Sequence, residues 1–169
     1  FPSREILNNA GVARALEALA LFSPGDLRFA YPLELDADTR LRRVGGKADE
    51  AGFVEGGSER RQRLLQQAKT LFEQTRERDD TYVPAIVNLA CVLDLQGEPE
   101  DAAYWARKAV QLARKQEDES ATARGRIIQG IAAAHLDPED RDSPADFFER
   151  SRLGAPMLAA VNLEALKGA

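Results

Sequence analysis

Residues 83–113, VPAIVNLACVLDLQGEPEDAAYWARKAVQLA, read as two helices set back to back. In the first, Ile86, Leu89, Ala90 and Leu93 recur at three- and four-residue spacing and so share one helix face. Gly97 ends that helix, because glycine tolerates the left-handed backbone that a C-terminal cap needs. Pro99 starts the next, since a first-turn proline loses no hydrogen bond the helix would have made. The second helix carries a narrower stripe, Ala102, Ala106, Ala109 and Leu112. Small residues there let two backbones come close; large ones would hold them apart. The stretch is a tight antiparallel helical hairpin.

Asn88-Leu89-Ala90, Gly97, Ala102 and Ala109, in that spacing, resemble a tetratricopeptide repeat. Two positions depart from the family pattern. The usual bulky aromatic before the last alanine is Ala106, with Trp105 beside it, and the usual closing proline is Arg114. The resemblance implies an all-α array of helical hairpins, a TPR-like solenoid in which each unit buries its face on the next.

Working outward, residues 3–21 read as a helix capped by Ser3, with Leu7, Ala10, Gly11 and Ala18 along one stripe interrupted by Arg14. Asn9-Ala10-Gly11 matches Asn88-Leu89-Ala90 in type, which makes this the first helix of another repeat. Its partner comes only at residues 58–78, where Leu65, Ala68, Phe72 and Thr75 recur three and four apart. Ala68 and Phe72 stand where the family places its small and aromatic second-helix residues. The first repeat is thus split by an insertion, residues 22–57. Repeat two spans 83–115. A degenerate third repeat covers 120–153, its shorter helix starting at Ser143-Pro144, and a capping helix at 156–167 begins with Pro156. Leu158, Val161 and Leu166 are there to cover the open end. All 169 residues form a single domain on this reading.

The insertion differs in kind. Residues 27–36, LRFAYPLELD, alternate as a strand would, with Phe29, Tyr31, Leu33 and Leu35 on one side. Pro32 restricts the segment to an edge strand or an extended stretch. Beyond it, Gly45-Gly46, Gly52 and Gly56-Gly57 punctuate an irregular loop. The first helix is apolar on a second stripe too, Val12, Leu16 and Leu19, and so calls for cover on that side. Residues 27–36 are expected to be ordered against it. The competing expectation is a loop that docks only when a partner arrives.

Composition excludes several functions. A net charge of −5 and a pI near 5.1 argue against a nucleic-acid or anionic-membrane surface. No stretch approaches the roughly 20 apolar residues of a membrane span. A single cysteine, Cys91, excludes an internal disulfide and any multi-cysteine zinc site. With no initiator methionine, the chain reads as a fragment of a longer protein.

Chemistry is sparse. Gly45-Gly46-Lys47 is followed by Ala48 and lacks the glycine spacing of a phosphate loop. Asp137, Glu139, Asp140 and Asp142 suggest calcium, but the glycine and closing glutamate of an EF-hand loop are missing, and acidic residues ahead of a helix answer to its dipole. Cys91 and His135, the only cysteine and histidine, come under consideration as nucleophile and base. No third orienting residue is evident, and a lone free cysteine reads as packing. Neither a catalytic residue nor a metal or cofactor site is assigned, and no enzymatic activity is expected.

What the resemblance implies is a protein-interaction module that binds a peptide or protein segment on its concave face. It places Asn8, Asn9, Val12 and Leu16 there from the first repeat, and Val87, Asn88, Cys91 and Leu95 from the second. An asparagine amide can hold a peptide backbone by one donor and one acceptor, or can bond a neighbouring helix instead. Some family members clamp an acidic chain terminus; only Asn88 and Arg124 fit that pattern, so the clamp is not expected. The alternative function is a structural or regulatory segment that packs against another domain of a larger, enzymatic protein.

Overall fold

The computed structural model describes residues 2–23, 25–36 and 57–168. Among them there are seven helices and no strand: α1 (Arg4–Leu19), α2 (Gly57–Arg78), α3 (Val83–Leu95), α4 (Pro99–Lys115), α5 (Glu119–Leu136), α6 (Asp142–Glu149) and α7 (Pro156–Lys167). The protein is all-α. The Gly45-Gly46-Lys47 stretch and the other loop glycines up to Gly56 lie outside the described residues.

Local chemistry sets the helix ends. Ser3 Oγ accepts from the Ile6 N–H at 3.4 Å and caps α1. Gly97 has φ +83° after α3, with the Glu98 N–H bonded to the Leu93 carbonyl and the Gly97 N–H to that of Asp94. This is the left-handed cap expected of that glycine. After α4 the same pair of bonds recurs around Glu117, a non-glycine held at φ 57°. The start of α6 differs from expectation. The helix begins at Asp142, and Asp140 rather than Ser143 accepts from the first N–H groups, those of Asp142 and Ser143. Asp137 does the same for Glu139 and Asp140. The acidic cluster therefore satisfies backbone donors.

Each helix packs on the next in sequence, α1 on α2 through α6 on α7, and α1, α3, α5 and α7 also touch one another in succession. Two apolar cores result. One joins α1, α2 and α3 through Val12, Leu65, Phe72, Leu89 and Leu93; the other joins α3 to α7 through Ile86, Ile127, Ile131, Phe148 and Leu163. Small residues govern the close approaches. A Cβ built on Gly11 would sit 2.5 Å from the Phe72 ring, and one on Gly130 would sit 2.6 Å from the Phe148 ring. Phe148 thus answers Gly130 as Phe72 answers Gly11, while Arg126 and Gln129 on the same helix are only half-buried. Its buried face is Ile127, Ile128, Ile131 and Ala134.

Three apolar residues do not lie where periodicity put them. Ala10 is exposed, with Ala15 buried on the α1 stripe instead. Leu16 is 49% exposed. Val161 is half exposed as well, because α7 turns Ala159, Asn162, Leu163 and Leu166 inward. In the central hairpin, Ala102, Ala106 and Ala109 are fully buried, as the narrow stripe requires. Replacing Ala102 by leucine is expected to cost about 1–3 kcal/mol, since the crossing has no room for the added volume. An unchanged denaturation midpoint would show that the site has slack.

Candidate functional site

Alternate residues of an extended chain present their N–H and C=O to the same side, so a row of amides spaced to match can hold every second one. That arrangement occurs along the face made by α1, α3, α5 and α7. Its occupant is the chain's own residues 27–36, which cross that face as an extended strap running from α7 to α1. Asn162 on α7 accepts from the Ala30 N–H at 2.8 Å and donates to the Ala30 carbonyl at 3.0 Å. Asn88 on α3 does the same for Glu34, at 2.8 and 2.9 Å. Asn9 on α1 does it for Asp36, at 2.7 and 3.3 Å. Asn8 adds a second donor to the Glu34 carbonyl at 3.0 Å and accepts from Asn88 at 2.9 Å.

Two of the helices share a register. Asn9 and Asn88 each stand two residues before a small buried residue, Gly11 and Ala90 respectively. On α5 the same offset from Gly130 gives Ile128, which has no amide, and the strap residue due there is Pro32, which has no N–H to donate. On α7 it gives Asn162, with Glu164 exposed where the others carry a small residue. The strap makes no backbone–backbone hydrogen bond among the described residues. Side-chain amides hold its backbone at Ala30, Glu34 and Asp36.

Its side chains enter defined places. Phe29 is buried between the rings of His135, at 5.5 Å and edge-on, and Phe148, at 6.1 Å. The Tyr31 hydroxyl donates to Asp94 at 2.6 Å. The Asp94 carboxylate is fully buried and also meets His135 Nδ1 at 2.9 Å, so a buried charge is held by two partners. Burial, and then the charge of Asp94, pushes the Tyr31 phenol far above its ordinary range and keeps it a donor. Glu34 pairs with Arg124 of α5. Tyr82, just before α3, donates to Asp36 at 2.6 Å, and its own phenol is raised by burial and by that bond. Arg28 ties the other end to the last carbonyls of α7, Ala165 and Leu166. Tyr31 and Leu33 pack against both apolar cores, while Leu35 is 43% exposed.

Of the residues expected to line a partner site, Asn8, Asn9 and Asn88 come together here, all buried. Val12, Val87, Cys91 and Leu95 are buried in the two cores. Leu16 stands apart: it is seven residues beyond Asn9, about 10 Å along the helix, past the point where the strap crosses. Cys91 is fully buried, and burial, then the charge of Asp94, raises its thiol well above the ordinary range. No thiolate is provided for. Among the described residues no group of three His, Cys, Asp or Glu side chains is placed to hold a metal ion, and no helix is long and apolar enough to cross a membrane.

Sequence reasoning missed Asn162, Asp94 and Tyr82. The first left a signal, since Asn162-Leu163 repeats Asn88-Leu89. Asp94 and Tyr82 left none, because their partners Tyr31 and Asp36 are 63 and 46 residues away. No protein-family model, curated protein or solved structure matches the chain.

Proposed function

We propose that the chain is a protein-interaction module, a tetratricopeptide-like repeat array whose inner helices take an extended peptide or protein segment on their concave face. One observation carries this reading: Asn9, Asn88 and Asn162 each bond both backbone polar groups of one residue in an extended segment. Such contacts recognise any non-proline backbone, and the side-chain places around them select among sequences. The repeat assignment is supported by the two glycine–phenylalanine pairs and by the shared two-residue offset of Asn9 from Gly11 and of Asn88 from Ala90. The partner is a protein rather than a nucleic acid, given the net charge of −5. Catalysis forms no part of the reading, with Cys91 buried and His135 Nδ1 bonded to Asp94.

The test uses a chain whose residues 28–36 are replaced by glycine and serine, titrated with a fluorescent peptide of sequence LRFAYPLELD. Saturable binding with a Kd of roughly 10 µM, about −7 kcal/mol, is expected, and it should be lost when Asn9 and Asn162 are both alanine. A folded strap-free chain that takes up no peptide would overturn the reading.

A second reading, packing against another domain of a larger protein, is favoured by exposed Leu153, Met157 and Val161 around α7, 80%, 78% and 51% accessible. Interdomain binding that survives the asparagine changes but fails with Met157→Glu would select it.

A further inference from the structure

Among the described residues, the side-chain places that receive Phe29, Tyr31, Glu34 and Asp36 are built by residues outside the strap. Phe29 lies against His135 and Phe148, and Tyr31 reaches Asp94. Glu34 faces Arg124, and Asp36 meets Tyr82. The backbone is held by asparagines of α1, α3 and α7. These groups belong to elements other than the strap, in the arrangement of a receptor and its ligand.

We propose that residues 28–36 are a resident competitor, and that the segment displacing them is an extended acidic peptide of the same pattern. That pattern is an aromatic residue, then tyrosine-proline from the second position on, with carboxylates two and four residues past the proline. The inference rests on the peptide-binding reading above. Its chemistry follows from what departure of the strap leaves behind. Asn8, Asn88 and Asn162 are fully buried, as is the Asp94 carboxylate, and all four lose partners. A polar group stripped of its hydrogen bond in a dry site is costly, so only an occupant that restores those bonds is tolerated. A peptide without the tyrosine leaves Asp94 one donor short. A peptide with a lysine in the glutamate's place sets like charge against Arg124, which is repulsion as a device for specificity. Proline is accepted at the one rung where Ile128 asks for no N–H.

The strap also sets the threshold for entry. A tethered segment acts at an effective concentration on the order of millimolar, so against a Kd near 10 µM the groove is occupied by a competitor at about a hundred times that Kd. Apparent affinity then scales with the fraction of chains whose groove is open.

The experiment compares the intact chain with two strap variants, Glu34→Lys, which leaves the apolar core alone, and Phe29→Ala. The labelled LRFAYPLELD peptide is titrated into each, with folding checked by circular dichroism. The intact chain should bind roughly a hundredfold more weakly than the strap-free chain, and Glu34→Lys should recover tenfold or more of that difference. In the strap-free chain, a peptide with lysine for its glutamate should bind at least about tenfold more weakly, and Arg124→Glu should reverse that preference. A merely structural strap would not produce the reversal. Equal affinity in the intact and strap-free chains would overturn the proposal, because the peptide would then sit elsewhere. So would indifference of the strap-free chain to the lysine exchange. Absence of binding to every folded chain would overturn the peptide-binding reading itself, a separate result.

Discussion

Asn88→Ala is expected to lower the free energy of unfolding by about 2–5 kcal/mol, with the strap loosening before the helices do. Asn88 is fully buried and makes three bonds, two to Glu34 and one to Asn8. Its removal orphans the Glu34 N–H and the Asn8 Oδ1, while the Glu34 carbonyl keeps its bond from Asn8. Each orphaned buried group costs about 1–3 kcal/mol. The check is urea denaturation together with hydrogen exchange at Ala30, Glu34 and Asp36. Faster exchange should begin at Glu34, whose amide loses its only acceptor among the described residues. A shift in unfolding free energy under about 0.5 kcal/mol, with Glu34 as protected as before, would mean that Asn88 does not hold the strap.

Phe72→Ala should cost about 3–5 kcal/mol, because a fully buried ring is replaced by a cavity that only partly collapses. The ring sits over Gly11, where an added Cβ would fall 2.5 Å from it. Two further variants give the effect its signature. Gly11→Ala alone should cost about 1–3 kcal/mol through overpacking. In a Phe72→Leu background the same change should cost clearly less, since the branched side chain leaves the notch open to a methyl group. The pair should therefore be non-additive in thermal or urea unfolding. Strict additivity would show that the glycine is required by something other than this ring.

Much of the architecture was legible in the sequence. The helices of the central hairpin, the α1 cap at Ser3, the turn at Gly97 and the Phe72 face all depend on neighbours within a few residues. Spacing and capping chemistry report such features directly. Sequence and structure part where a stripe has two faces to choose from. Periodicity turns Leu16 and Val161 inward, because apolar residues recur in step with them, whereas Ala15 and Asn162 are the residues buried in those stretches. Periodicity gives the angle between residues on a helix; it does not say which side a neighbour will cover.

The amino-acid sequence by itself determined the all-α class, the helix boundaries to within a few residues and the apolar alternation at 27–36 that calls for burial. Those outcomes rest on local backbone preference and on the insolubility of Phe29, Tyr31 and Leu33 in water. Only the tertiary structure decided where that segment lies. The expectation places it against α1; it meets α1 only at its Glu34–Asp36 end and crosses α7, α5 and α3 before that, with Ala30 bonded to a residue 132 positions away. An asparagine can serve a strap or a neighbouring helix equally well, and its sequence is the same in both cases. Which of the two it serves depends on the groups that packing brings within 3 Å of its amide, and that is settled only when the four inner helices stand side by side.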